Sequence, residues 1–470
     1  MSRVLNRKMI LFAITLMIGV LLWFVPPPEG VKPEGIHMLA IFVFTILGII
    51  LRSFSIGTVA ILGLTMTVVT KTLSFEAAFN GFINKVVWLV IIAFFISRGF
   101  IKTGLGERIA YLVVKYLGKS TLGMGYGLVI TDLILAPAIP SVTARLGGIV
   151  YPIATSLARV FKSEPYSHPK RIGSFLMKTA FQGSVITSGM FLTSMAGNPL
   201  IADFASKVGI ELSWGKWALA GIVPGLACIA LMPFLLYKLY PPEIKKTPDA
   251  REFAKEKLKE LGPVRREEWI LIFTFCLLVI LWIFSKQIGM AAVVAAMIGL
   301  CVLLLTSVLK WDDVIREKGA WNMLMWFSIL ITMAGAISEF GLTRWFSQYV
   351  QGYVEGYNWV VAFSVLVLIY FYSHYFFASM VAHITSMYSP FLILSIAVGT
   401  PPMLAVLLLA FASTLFSGLT HYGSGPAPIF FGAGYIKITE WWRLGFIVSV
   451  VNLALFVTIG ILWWKALNFF

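Results

Sequence analysis

The chain has 470 residues, of which 59% are hydrophobic and only 12% are Asp, Glu, Lys or Arg. A soluble chain carries about a quarter charged residues, so a water-facing globular surface is excluded, and apolar runs recurring along nearly the whole length read as one membrane domain. The net charge of +16 is not gathered on a face with interleaved aromatics; Lys and Arg sit between apolar runs, as cytoplasmic loop charges do, and nucleic acid is excluded as a partner.

In chain order, Arg3, Arg7 and Lys8 precede the apolar run from Met9 to Val25, which ends at Pro26-Pro27-Pro28. No A-x-A site follows, and the run reads as a retained first span rather than a signal peptide. Further spans are expected over 36–51, 54–70, 86–103, 174–195, 215–238, 269–285, 288–309, 321–340, 402–419 and 444–466. Two other apolar stretches, 121–160 and 358–398, carry a polar, small-residue break in the middle, at Pro137–Thr143 and Phe377–His383. Their arms look short or interrupted for full crossings. Irregular backbone at membrane depth is tolerated only inside protein or beside a cavity, so both read as re-entrant hairpins. Cys228, Cys276 and Cys301 lie inside apolar runs with no metal-ligand spacing and read as small buried hydrophobes.

The pattern predicts an all-α polytopic membrane protein of about eleven transmembrane helices plus two re-entrant hairpins. Residues 1–35 form the first span and lead-in, 36–240 a first repeat with hairpin 121–160, 241–268 a charged cytoplasmic connector, and 269–470 a second repeat with hairpin 358–398. The connector reads as a solvated segment, with a short amphipathic helix on the cytoplasmic surface as the alternative. With the N-terminus in the cytoplasm, Arg98, Lys102, Arg108, Lys115 and Lys119 fall inside, as does the Lys/Arg-rich stretch 245–266. That bias favours a cytoplasmic N-terminus and an outside C-terminus. The absence of a transit-like extension favours a bacterial plasma (inner) membrane.

The two halves share landmarks at nearly fixed separation. Ser141 matches Ser379 (379 − 141 = 238), Gly104-Leu105 matches Gly341-Leu342 (341 − 104 = 237), and Pro199 matches Pro428 (428 − 199 = 229). Such an ordered series is the mark of a duplication. Five expected crossings separate the hairpins, so the second repeat is inverted relative to the first. Inverted repeats with broken helices at mid-depth are the architecture of secondary transporters.

Two more interruptions follow the hairpins, at Met195–Pro199 and Tyr422–Pro428. Gly and Pro unwind a helix, the one through backbone entropy and the other through its missing N–H. Converging half-helix N-termini offer free N–H groups and positive partial charge, which suits an anion. Candidate solute contacts are Ser141, Val142, Thr143, Gly197, Asn198, Pro199, Ser379, Met380, Val381, Ser424, Gly425 and Pro426. Arg145, His383 and His421 are candidate charge contacts or proton carriers, because intramembrane ionisable groups are costly and functional by default. Asp132 and Lys178 are expected to pair with protein or to snorkel. There is no GxxxxGK[ST], HExxH or GxSxG, so no cofactor, metal centre or enzymatic activity is expected.

At these residues the sequence resembles the divalent anion/sodium symporter family. Pro140–Pro152, Ala196–Leu200 and Thr420–Pro428 resemble its dicarboxylate exchangers, the 2-oxoglutarate/malate translocators and citrate/succinate antiporters. The resemblance implies a homodimer in the bilayer, with an elevator-like transport unit that carries a small dicarboxylate such as 2-oxoglutarate, malate, succinate or fumarate. It also implies Ser-Asn-Thr at both tips, where Ser and Thr touch substrate and Asn serves substrate and sodium. Ser141, Thr143 and Ser379 match that pattern; Val142, Met380 and Val381 do not. Val and Met offer no oxygen to a hard cation, so sodium-independent exchange is expected, with a sodium- or proton-coupled di- or tricarboxylate symporter as the alternative and an anion channel as a third reading.

Overall fold

The computed structural model describes every residue except Met1, Arg52, Tyr166 and 355–357. Backbone polar groups in lipid must be satisfied within the segment, which leaves helices as the economical solution. Among the described residues all regular structure is helical, apart from one isolated β-bridge between Ser120 and Lys246. Helices cover each expected span: Ser2–Trp23, Pro33–Ile50, Ile56–Val69, Lys85–Thr103, Gly173–Met190, Trp214–Leu239, Arg266–Ile283, Ala292–Leu305, Lys318–Glu339, Pro402–Leu415 and Ile438–Leu455, the last continuing to Ala466.

Gly173–Met190 lies at the centre, and all its residues are buried, as are all those from Met403 to Leu415. The first of these carries Lys178, Thr179, Gln182, Ser184, Thr187 and Ser188, a polar load that only a helix surrounded by protein tolerates. Around this pair pack Thr121–Leu135, Trp214–Leu239 and Tyr151–Val160. A second group joins Pro33–Ile50, Ile56–Val69, Lys85–Thr103 and Lys318–Glu339, with Ala292–Leu305 against Lys85–Thr103. The groups meet where Gly197–Ser206 touches Lys85–Thr103 and where Trp214–Leu239 touches Arg266–Ile283.

The landmarks matched between the two halves also agree in backbone detail. Gly104 and Gly341 both adopt left-handed φ, at 78° and 92°, a conformation that costs glycine nothing. Each starts a helix, Leu105–Leu117 and Leu342–Val354. Each hairpin has a first arm, Thr121–Leu135 or Trp359–Tyr372, and a second arm beginning at Val142 or Met380. Both second arms contain a π-helical turn, Leu146–Val150 and Ile384–Tyr388, at the same offset (384 − 146 = 238). Such turns are rare and concentrate at functional sites. No residue pattern announced them.

Three features differ from the sequence reading. Cys228 is buried as expected, but Cys276 and Cys301 are exposed on the helix surface. In the second hairpin, Trp359–Phe376 and Met380–Ala397 are each 18 residues and apolar enough to cross a bilayer, about 27 Å at 1.5 Å per residue. The short 3-10 turn Ser373–Phe376 lengthens the first arm, so the break at the tip, not arm length, distinguishes this segment. The connector is not merely solvated: it forms a helix, Pro248–Leu261, docked on Leu105–Leu117 through buried Ala250 and Ala254. Arg108 fixes the joint, with Nε donating to Glu268 Oε1 at 2.7 Å and Nη1 to the Gly262 carbonyl at 2.9 Å.

Candidate functional site

Each hairpin breaks for a local reason. In the first, Pro137 and Pro140 lie between Leu135 and Val142; proline has no N–H to continue a helix and its ring clashes with the preceding turn. The chain then restarts on a serine. Ser141 is the N-cap of the first second-arm helix, its hydroxyl accepting from Ala144 N–H at 3.2 Å. Ser379 plays the same part in the other half, accepting from Ala382 N–H at 3.3 Å. The next backbone N–H of each helix donates to the cap carbonyl, Arg145 to Ser141 at 2.9 Å and His383 to Ser379 at 3.1 Å. At a helix start the N–H groups before these have no intrahelical partner. They belong to Val142 and Thr143 at one tip and Met380 and Val381 at the other.

These groups face a common space. A cavity of about 520 Å³ is lined by Ser141, Val142 and Thr143, by Ala378 to Val381, by Met195 and Ala196, and by Gly425 and Pro426. Ile49, Phe54, Ser55, Ile56 and Phe94 close its remaining wall. Four chain breaks from two halves thus meet at one cavity, and among the described residues no charged side chain is in its lining. Ser424 stands beside it with a buried hydroxyl that has no hydrogen-bond partner. The halves also cross over in their packing. A Cβ on Gly425 would collide with the Thr143 hydroxyl, and one on Gly197 would meet Ile384 Cδ1 at 2.6 Å. Glycine at both positions lets each hairpin close on the helix break of the opposite repeat.

Gly197, Asn198 and Pro199 do not line the cavity. They open the helix Gly197–Ser206, where Pro199 sits in the first turn, a place where proline costs no hydrogen bond. The break itself begins earlier, after Met190. Asn198 Nδ2 stitches it, donating to the carbonyls of Ser188 at 2.7 Å and Phe191 at 2.9 Å.

The three candidate charge contacts are also outside the lining. Arg145 is fully buried, with Nε donating to Asp132 Oδ1 at 2.6 Å. Nη1 donates to the carbonyls of Ile139 and Ser194 at 2.7 and 2.9 Å, and Nη2 donates to Ser188 Oγ at 3.1 Å. Its charge is balanced by Asp132, which also accepts from the Thr187 hydroxyl. The guanidinium therefore ties the first tip to the 191–196 break rather than presenting free charge to a solute. His421 accepts on Nδ1 from Trp442 Nε1 at 3.1 Å. His383 is fully buried and lies 3.0 Å, Nδ1 to Nδ1, from His374. Lys178 is buried at the far end of Gly173–Met190, donating to the Trp441 carbonyl at 3.0 Å with its ammonium 4.0 Å from the Trp441 ring centroid.

Sequence reasoning missed His374, which no repeat match marked, and the wall residues Phe54, Ser55 and Phe94. Ser55 reads as a plain helix cap, accepting from Thr58 N–H at 3.2 Å; nothing in its neighbourhood signals a cavity.

The arrangement can hold a small anion between two helix N-termini; among the described residues no cluster of His, Cys, Asp and Glu forms a metal site. The comparisons with known proteins agree on the class. Over 463 residues the chain is 52% identical to YflS of Bacillus subtilis (strain 168), whose name ties it to malate transport, covering 98% of this chain and 97% of that protein. It is 50% identical over 458 residues to dicarboxylate transporter 1 of Spinacia oleracea chloroplasts, covering 97% of this chain and 80% of that one. The solved YdaH transporter of Alcanivorax borkumensis shares the fold at a TM-score of 0.58 and 12% identity, over 87% of this chain and 89% of that one. The family described as the sodium:sulfate symporter transmembrane region matches residues 6–470, and the chain belongs to that family of divalent anion/sodium symporters.

Proposed function

We propose that this protein exchanges small dicarboxylates across a bacterial inner membrane without sodium. The observation that carries the reading is the cavity where Ser141, Thr143 and Ser379 gather at two helix N-termini, with no carboxylate in the lining among the described residues. Each N-terminus carries about half a positive charge and unpaired N–H donors. A dianion with a carboxylate at each tip satisfies both. Val142 and Met380 line the same cavity where a sodium ion would need oxygens. The names of the two relatives, one tied to malate and one to dicarboxylates, point to the same solutes.

In this reading the hairpins are re-entrant and enter from opposite faces. The group packed around Gly173–Met190 slides against the other group as an elevator, and a homodimer holds the second group still. When the unit is empty, about one positive charge from the paired helix ends is left without a partner in apolar surroundings, which is costly. The loaded unit is therefore the one that crosses, and transport is exchange. The cytoplasmic N-terminus and outside C-terminus follow from the loop charges. Labelled 2-oxoglutarate should enter malate-preloaded proteoliposomes and be displaced by malate and succinate. Uptake blocked by sulfate alone would instead make this an inorganic-anion carrier.

A further inference from the structure

We propose that the His374–His383 pair is a proton-binding site that completes the charge balance of a bound dicarboxylate. The proposal rests on the dianion reading above. Its starting point is hydrogen-bond bookkeeping. His374 Nε2 lies 2.9 Å from the Gly423 carbonyl; a carbonyl only accepts, so that nitrogen carries a hydrogen. The Ser373 hydroxyl donates to the Tyr370 carbonyl at 2.9 Å. In that orientation it has no second hydrogen and can only accept from His383 Nε2, 3.2 Å away. Both outer nitrogens are then protonated, and the two inner nitrogens stand 3.0 Å apart. One hydrogen must lie between them. Two rings holding three hydrogens carry one positive charge.

Removing that proton leaves two lone pairs facing each other. Turning the Ser373 hydroxyl from Tyr370 to His383 Nε2 resolves the conflict, because His383 then carries its hydrogen on Nδ1 and donates to His374. The charged and neutral states thus differ by one proton and one hydroxyl rotation. Full burial opposes the charged state in the empty protein, and the aromatic faces offset part of that cost. The Phe416 ring stacks on both imidazoles, with centroids at 4.0 and 4.4 Å, and Phe377 stacks on His383 at 4.4 Å, geometry that favours a cation over aromatic faces. No Asp or Glu among the described residues bonds either ring. The titratable neighbours are otherwise engaged: Tyr370 with Ser413 at 2.6 Å, Tyr422 with the Tyr375 carbonyl at 2.7 Å and His421 with Trp442. Ser373 is only partly buried and gives the proton a way in.

The pair is wired to the cavity from two sides. His383 closes the turn that begins at Ser379, Met380 and Val381, and His374 holds the carbonyl two residues before Gly425, all four of which line the cavity. Arg145 and Asp132 cancel. Two half-helix ends supply about one positive charge, which leaves a bound dianion about one unit short. A proton taken from bulk water onto the inner nitrogens supplies it.

The test is calorimetric titration of the purified wild-type protein with malate at pH 7.5 to 8.5, in buffers of different ionisation enthalpy. The proposal expects about one proton taken up per malate bound, and affinity falling about tenfold per pH unit once the empty pair is neutral. Binding with no buffer dependence would overturn it while leaving the dicarboxylate reading intact; no binding of any dicarboxylate would instead sink that reading. His383→Asn and His374→Gln should bind malate more weakly and without proton uptake, so a full proton per malate in either variant would also overturn the proposal.

Discussion

At the first hairpin tip a permanent ion pair, Arg145 with Asp132, joins the hairpin to the following helix break. At the second tip the matching positions are His383 and Tyr370 (370 − 132 = 238), and the join to the break runs through His374 to the Gly423 carbonyl. The mechanical task is the same, but the first assembly is charged and self-neutralised whereas the second has no fixed counter-charge. The two hairpins share backbone geometry, down to the π-helical turns, while their electrostatics differ.

The largest expected effect breaks the first assembly. Asp132→Asn leaves the Arg145 guanidinium buried and unbalanced, a loss of about 3–5 kcal/mol for one-sided removal of a buried pair. It should appear as a strongly lowered unfolding temperature in detergent, and a near-native value would show that the ion pair does not hold the tip.

Next come the cavity hydroxyls. Thr143→Ala and Ser379→Ala each remove a hydroxyl placed for a carboxylate, a bond to a charged group worth about 1.5–3 kcal/mol, or roughly tenfold to a hundredfold in affinity. Ser379→Ala also loses a helix cap worth about 1 kcal/mol, so Thr143 reports the solute contact more cleanly. Unchanged affinity in both folded variants would remove these hydroxyls from the site.

The smallest effect is at the position that matches Asp132. Tyr370→Phe deletes one hydrogen bond, to Ser413, and should lower stability by only about 1 kcal/mol. Thermal unfolding of Tyr370→Phe beside Asp132→Asn tests the contrast between the tips; equal losses would mean that the two halves are not electrostatically distinct.

Much of this was legible in the sequence because the signals are local. Apolar runs marked the helices, and Gly104 and Gly341 were matching landmarks that the structure places in left-handed backbone. Pro137, Pro140 and the serine caps marked the tips, and the small residues from 423 to 425 marked the second break. What stayed hidden depends on pairing across space. Arg145 reads as a free cation until Asp132, thirteen residues earlier, is seen against it. His374 has no repeat partner of its own kind, since position 136 is Ala136. The docking of Pro248–Leu261 depends on two buried alanines in an otherwise charged segment, a pattern too sparse to distinguish from a solvated helix.

Counterflow of labelled 2-oxoglutarate into reconstituted vesicles, with choline in place of sodium, tests the central claim most directly. The account predicts undiminished uptake into malate-loaded vesicles and little into empty ones, because Val142 and Met380 give sodium no oxygen and the unloaded helix ends resist crossing. Steep sodium dependence, or concentrative uptake into empty vesicles driven by a sodium gradient, would contradict it.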